Sequence, residues 1–192
     1  MAQTVANVVA AKPKATGGVL RGPVGTALPT NSSTAPNAAF LALGYVGEDG
    51  LTYTPARSTD KKKAWGGDIV KVVQTEYSET WSFLLIESMN AEVLKAVHGS
   101  ANVATTAATV STGTLQAVKS NGDVLPREPW VFEMFEGTSK RRVVLPAAQI
   151  TEVGEVQFTD GELVAYPVTL EAFEDATGNN SYSYLDDGVF TP

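Results

Sequence analysis

Several residue types that build functional sites are missing or scarce in this 192-residue chain. It has no cysteine, which excludes disulfides, thiolate metal ligands and cysteine nucleophiles. It has one histidine, His98, so no site within one chain can use two histidine ligands. No run of about 18 apolar residues occurs, and a transmembrane helix is therefore not predicted. The N-terminal stretch lacks the basic region of a secretory signal, which favours synthesis in the cytosol.

Charge of one sign is missing from each end of the chain. Residues 1–47 carry three basic side chains and no acid, whereas residues 143–192 carry nine acids and no lysine or arginine. The net charge of −7 disfavours tight nucleic-acid binding, because phosphate contacts need basic side chains. Two interpretations of the gradient remain open. A basic N-terminal segment pairs with an acidic surface, within or between subunits, or the acids simply keep the protein soluble.

Composition divides the chain into an N-terminal arm, a folded domain and a C-terminal arm. Residues 1–36 are rich in Ala, Thr, Gly and Pro, which interrupt helices and central strands and predict an extended arm. Residues 37–174 contain the strand-forming segments of one domain. Within it, 55–66 is predicted as a polar loop and about 90–98 as a short, well-capped helix. Residues 175–192 are polar with embedded aromatic side chains, and predict a C-terminal arm.

Alternation of apolar and polar residues, the period of β-strands, dominates the predicted domain. Glu48–Gly50 predicts a hairpin turn, because a Gly after an acidic residue suits positive φ. Val70–Tyr77 and Thr80–Glu87 are predicted as two inner strands, each with apolar residues on both faces. The predicted fold class is therefore mostly β. We expect a β-sandwich or barrel with one short flanking α-helix and extended N- and C-terminal arms.

Catalytic and cofactor motifs do not occur in the sequence. It contains no phosphate-binding glycine loop, no HExxH, no GxSxG and no EF-hand spacing. The acid pairs Glu174-Asp175 and Asp186-Asp187 lack the further oxygen ligands that calcium needs, and are interpreted as solvated. We expect no catalytic, cofactor or metal site, and no enzyme. The remaining features, long hairpins and two arms, are typical of a protein whose surfaces are completed by copies of itself.

A family resemblance rests on five segments in a fixed order: GTALPT, LGYVGEDGL, AWGGD, NAEVLK and ITEVGEV. With them, the chain resembles the major tail tube proteins of long-tailed, non-contractile bacteriophages, over nearly its whole length. The resemblance implies a β-sandwich or barrel tail-tube fold. It also implies that six copies form a ring around a continuous inner β-barrel, and that rings stack into a tube. Both arms and a long hairpin loop would bridge neighbouring rings.

The same resemblance implies partners and a location. The main partner would be the protein itself, in hexameric rings and a stacked tube. A tape measure protein would fill the lumen during assembly, and tail terminator and distal tail proteins would contact the ends. DNA would pass through transiently and non-specifically from capsid to host cell. The protein would be part of the virion tail, assembled in the host cytoplasm, without membrane insertion.

Candidate site residues follow from the proposed passage of DNA through the lumen and from the stacking of rings. An acidic or neutral lumen would let DNA slide, since attraction to phosphates would retard it. The candidate lumen-facing residues are Thr151, Glu155, Gln157, Thr169 and Glu171. The candidate contacts between subunits or rings are Lys12, Lys14, Leu20, Arg21, Lys61, Lys62, Lys63, Trp65, Tyr182 and Tyr184.

Two other protein classes share many of these features. One is a monomeric β-sandwich binding module, such as a capsid decoration or host-adhesion domain. Its weakness is the GGVLRGPVGTALPT segment, an arm for which a monomeric binder has little use. The other is the tube subunit of a contractile tail or of a type VI secretion system. That class has the same architecture, so only the detailed resemblance favours the non-contractile family.

Overall fold

The computed structural model describes residues 8–14 and 17–190. Strands account for 48% of the structure and helix for 6%, which confirms the mostly β fold class. The outermost residues of both predicted arms lie outside the described residues. The strands are β1 (Lys12–Pro13), β2 (Val19–Arg21), β3 (Leu41–Ala42), β4 (Val46–Lys63), β5 (Ile69–Leu85), β6 (Val103–Thr106), β7 (Leu115–Val118), β8 (Glu128–Glu136), β9 (Ser139–Val153), β10 (Tyr166–Phe173) and β11 (Tyr182–Asp186), and the helix is α1 (Ala91–His98).

One antiparallel sheet contains nine of these strands. Its order is β3-β2-β8-β9-β10-β5-β4, with β1 paired to β8 and β11 paired to β9. A separate two-stranded sheet consists of β6 and β7. In the large sheet, β9 is long enough to pair with β11 along its first half and with β10 along its second half.

The large sheet folds over on itself to enclose the core. Trp81 on β5 and Phe132 on β8 are separated by two strands in the sheet order, yet their ring centroids lie 5.1 Å apart. Phe83 contacts Phe132 edge-on, with centroids 5.8 Å apart. The chain between β3 and β4 joins the two sides, since the Leu43 amide donates to Val19 and Tyr45 accepts from the Ile86 amide. The arrangement agrees with the predicted sandwich or barrel.

Alternation along the strands decides which side chains enter this core. On β5, Trp81, Phe83 and Leu85 are buried, while the intervening Ser82 and Leu84 point to the opposite face. Each fully buried large apolar side chain stabilises the fold by about 1.5–3 kcal/mol. The predicted flanking helix is present as α1. It begins after Asn90, whose side chain accepts from the Glu92 amide, and it packs Val93 and Val97 into the core.

The N-terminal segment is extended, and its described strands lie on the sheet of the same subunit. In β2, Val19 is almost completely buried in the core. The following segment covers the outer face of β8 and β9. There, the buried Arg142 binds Glu133 on the neighbouring strand and the carbonyl oxygens of Asn31 and Thr34. The described part of this segment is therefore held to the domain by backbone pairing through β1 and β2 and by a buried charge network at Asn31 and Thr34.

Three predicted elements between residues 46 and 87 are corrected by the structure. The predicted loop 55–66 is strand as far as Lys63, because it pairs along its length with β5. The predicted turn at Glu48–Gly50 is a bulge inside β4, between the pairs Val46↔Leu85 and Leu51↔Phe83. The predicted strands 70–77 and 80–87 are joined into one continuous strand, β5, which ends at Leu85. Residues 55–66 show no alternation of apolar and polar side chains, so their pairing with β5 could not be inferred from the sequence of that segment.

Candidate assembly surfaces

A long hairpin projects from the sheet, and we call its residues 55–77 the β-arm. Almost all of its side chains are exposed, which is unusual for paired strands of this length. The turn at its tip is closed by a hydrogen bond of 2.8 Å from the Ala64 amide to the Asp68 carbonyl. Gly66 and Gly67 have φ of +116° and +100°, a conformation that other residues rarely adopt. The Trp-Gly-Gly segment therefore forms the turn, and Trp65 is fully exposed on it.

The root of the β-arm is fixed by a cluster of aromatic and polar side chains. Tyr53 stacks on Trp81, with ring centroids 4.5 Å apart. The hydroxyls of Tyr53 and Tyr77 both donate to the buried carboxylate of Glu79. The hydrogen bond to Glu79, together with burial, raises the pKa of Tyr77. The Arg57 guanidinium covers the Tyr77 ring at 4.2 Å, so the β-arm is anchored where it leaves the core.

Four predicted assembly contacts lie on the β-arm, and five of the other six contact their own subunit through their side chains. Lys61, Lys62, Lys63 and Trp65 are exposed on the β-arm, and Lys12 is exposed on β1. No finding tests whether any of these residues touches a second copy, so that role stays a prediction.

The basic N-terminal residues are mostly engaged within the subunit. Lys14 pairs with Glu133 at 2.9 Å. Arg21 lies 3.4 Å from Glu128 and 3.8 Å from Glu92, with a side chain only 10% exposed. These ion pairs agree with the interpretation in which the basic N-terminal segment pairs with acids of its own subunit.

The three remaining predicted contacts pack on the outer face of β8 and β9. Leu20, Tyr182 and Tyr184 contact a small buried cluster around Val131 and Val144. The two tyrosine rings are parallel, with centroids 6.4 Å apart. These side chains therefore attach β2 and β11 to the domain of their own subunit.

A continuous polar surface lies on the side of the sheet away from the core, and we call it the polar face. Two rows of directly paired residues cross four strands, so their side chains share this face. The first row is Thr52, Ser82, Thr169 and Glu152, and the second is Thr54, Thr80, Glu171 and Gln149. None of the eight is buried, and the two charges among them are both negative.

Hydrogen bonds link the strands across the polar face. The hydroxyl oxygens of Ser82 and Thr169 lie 3.2 Å apart, and the Thr80 hydroxyl donates to the Thr54 carbonyl at 3.3 Å. Thr151, in a bulge of β9 beside this row, donates to the Thr169 carbonyl. Side chains that are held in this way form an ordered hydroxyl-rich surface.

Three of the five predicted lumen-facing residues are brought together here. Thr151, Thr169 and Glu171 lie on or beside the polar face, whereas Glu155 and Gln157 follow the end of β9 and are exposed in a connection. Thr80–Glu87 is predicted from sequence as an inner strand, but none of the five lumen-facing candidates belongs to β4 or β5. The alternating hydroxyl residues of TYT and TWS were the available signal for the residues that these two strands contribute.

Comparison with protein families supports a tail tube subunit over a monomeric binding module. A family described as phage tail tube protein matches residues 1–191. The chain belongs to the phage tail tube protein family. A search of curated proteins finds no significant match.

Membership of this family gives the protein a structural role in the tail of a bacteriophage virion. Within residues 8–14 and 17–190, no group of three or more histidine or acidic side chains could hold a metal ion. In the same part of the chain, no helix is long and apolar enough to span a membrane.

Proposed function

We propose that six copies of this tail tube protein form a ring, and that rings stack into the tube of a long-tailed, non-contractile phage. The observation that carries the proposal is the polar face. It crosses four strands, its eight paired residues include no basic side chain, and none of the eight is buried by the described residues. In the proposed ring, the polar faces of all copies line a channel.

The chemistry of the polar face suits passage of DNA. Hydroxyl and amide groups offer only weak, exchangeable contacts, and Glu152 and Glu171 repel phosphates. Lysine or arginine at these positions would bind the polymer and slow it. The channel therefore conducts DNA from capsid to host without holding it, and a tape measure protein occupies the same space during assembly.

Strand edges support closure of a ring. In the described part of the chain, β4 is the last strand in the sheet order, and its outer edge has no partner strand. Unpaired edges of this length favour pairing with another chain. A neighbouring copy that pairs here continues the sheet around the channel. Tail terminator and distal tail proteins would then cover the ends of the finished tube, which is assembled in the host cytoplasm without membrane insertion.

A labelling experiment tests the proposed lining. Because the sequence contains no cysteine, an introduced cysteine is the only thiol that can react. T169C places a thiol on the polar face. S111C places one on the exposed connection between β6 and β7, which lie beside α1 on the core side of the sheet. In tubes, a maleimide coupled to a globular protein should react with S111C but not with T169C, whereas both should react after dissociation. Equal reaction of both thiols in intact tubes would contradict the proposed lining.

A further inference from the structure

Two hydrogen-bonded asparagine side chains join the end of α1 to the chain that follows β7. Asn102 ends a single 3₁₀ turn, Ser100–Asn102, and its side-chain nitrogen donates to the His98 carbonyl at 2.8 Å. The same nitrogen donates to the Asn121 side-chain oxygen at 3.1 Å, and the Lys119 amide donates to the Asn102 carbonyl at 2.8 Å. Because a helix leaves its last carbonyl groups without partners inside the helix, this pair completes the C-terminal end of α1.

Asn121 is followed by a glycine, and this is the only Asn-Gly pair in the sequence. In such a pair, the backbone nitrogen of the glycine can attack the side-chain carbonyl carbon of the asparagine and close a five-membered ring. Glycine has no Cβ to hinder this approach. Both residues are exposed, a Cβ on Gly122 would meet nothing within 4 Å, and among the described residues no acceptor binds the Gly122 N–H. The attacking nitrogen is therefore accessible and free.

The side chain of Asn121 folds forward over the peptide bond that would attack it. Its oxygen accepts from the Asp123 amide at 3.3 Å, which is the hydrogen bond of an Asx-turn and brings the side-chain carbonyl towards the Gly122 nitrogen. This bond and the one from Asn102 also stabilise the negative charge that develops on the oxygen when the carbon is attacked. The Asp123 carboxylate accepts from the side-chain nitrogen of Asn121 and helps to fix the plane of the amide.

Related pairs elsewhere in the chain lack one or more of these features. The Asp-Gly pairs are poorer substrates, because an ionised carboxylate resists attack by a nucleophile. At one of them the Gly188 N–H is also engaged, since it donates to the Asp186 carboxylate at 3.0 Å. Asn180 precedes a serine, which has a Cβ, and its side-chain nitrogen is bound to the Ala172 carbonyl at 2.9 Å. Asn121 is therefore the position at which sequence and geometry agree.

We propose that Asn121 is a site of spontaneous deamidation. Hydroxide takes the proton of the Gly122 N–H, and the nitrogen then forms a bond to the Asn121 Cγ. The bond from Cγ to Nδ2 breaks, and Nδ2 leaves as ammonia after it has taken a proton from water. A second step hydrolyses the resulting succinimide at either of its two carbonyl groups, which gives aspartate or isoaspartate. In total, one water is consumed and one ammonia is released, with no oxidation or reduction.

Both products change the charge and the contacts at the end of α1. A carboxylate at position 121 can still accept from Asn102, but it has no N–H to donate to Asp123 and it repels that carboxylate. It also adds negative charge near the C-terminal end of a helix, where negative charge is unfavourable. The reaction should therefore weaken the link between α1 and β7. The site lies beside α1, on the core side of the sheet, so the inference is independent of the polar face.

Ageing of the purified protein in mildly alkaline buffer, followed by peptide mapping, tests the proposal. Trypsin cleaves after Lys119 and Arg127 and releases the peptide SNGDVLPR, which contains the site. We expect this peptide to show the mass change from amide to acid and to separate into aspartate and isoaspartate forms. The G122A variant is the matched control, because Gly122 is not at positive φ and a Cβ meets nothing there. G122A should react at least about tenfold more slowly, a barrier difference of about 1.4 kcal/mol.

A synthetic peptide SNGDVLPR is the unfolded reference, and the ageing continues until half of it has reacted. Folded protein in which Asn121 is still intact at that time would overturn the proposal, because the fold would then protect the site. Equal rates for wild type and G122A would exclude attack by the Gly122 nitrogen, and a product that is aspartate alone would exclude the succinimide. The N121D variant carries the charge of one product, and its urea midpoint should be lower than that of wild type. An unchanged midpoint would overturn the weakened link between α1 and β7.

Discussion

Replacement of Arg142 by alanine should destabilise the folded subunit strongly. Arg142 is 3% exposed and lies on the outer face of β9. Its guanidinium donates to the Glu133 carboxylate and to the carbonyl oxygens of Asn31 and Thr34, the latter at 2.8 Å. The R142A variant leaves a buried carboxylate whose remaining cationic partner is Lys14. It also releases the segment that covers this face.

The expected magnitude follows from the cost of an uncompensated buried charge. Removing one partner of a buried ion pair costs about 3–5 kcal/mol, and the value here should be near the lower limit because Lys14 still contacts Glu133. For a protein of this size, about 3 kcal/mol lowers Tm by about 6–12 °C. By contrast, K14A should cost at most about 1 kcal/mol, because the Lys14 side chain is 43% exposed.

Urea unfolding of the unassembled subunit measures these differences. A double variant, E133L/R142M, serves as the control, since replacing a buried pair with apolar residues is often nearly neutral. The freed carbonyls of Asn31 and Thr34 belong to exposed residues and can bind water. We expect the double variant to be within about 1.5 kcal/mol of wild type. An R142A variant within about 1 kcal/mol of wild type would refute the argument.

Two further predictions concern backbone conformation and pH. Gly44 and Gly50 have φ of +75° and +69°, but a Cβ on Gly44 would lie 2.0–2.2 Å from the Glu87 carboxylate, whereas one on Gly50 meets nothing within 4 Å. G50A should therefore lower the free energy of unfolding in urea by about 1–2 kcal/mol, and G44A should lower it by at least about 1 kcal/mol more. Equal losses would show that the Glu87 carboxylate moves aside without cost. Hydrogen bonds, chiefly from the Tyr182 hydroxyl, hold the pKa of Asp175 well below its ordinary value of 3.8. The stability that the charged form of Asp175 contributes is therefore present above about pH 4 and is lost as the pH falls below that value. The difference in unfolding free energy between wild type and D175N should accordingly narrow between about pH 4 and 2. A difference that does not change with pH would contradict this reasoning.

Local signals were sufficient for the elements whose residues fix their own geometry. The helix α1 has a capping side chain at Asn90, a positive-φ Gly99 after its last turn and an apolar stripe, and the structure places it within one residue of the prediction. The alternation in Thr80–Leu85 likewise gave the correct buried face, with Trp81 and Phe83 in the core. Such features depend on interactions within a few residues.

The β-arm and the polar face depend on interactions between distant segments. Ala56–Lys63 is polar on both faces because both are solvated, so it has no period, and only its pairing with β5 makes it a strand. The bulge at Gly47–Gly50 is likewise set by the register of Leu51 with Phe83. The polar face joins residues from β4, β5, β9 and β10, and this strand order could not be inferred from sequence.

The most direct test of the account is a cryo-electron microscopy reconstruction of tubes assembled from the wild-type protein. We predict six copies per ring, with the side chains of Ser82 and Thr169 facing the axis of an open channel. A reconstruction in which Ser82 and Thr169 lie on the outer surface, or are buried between subunits, would contradict the proposed lining.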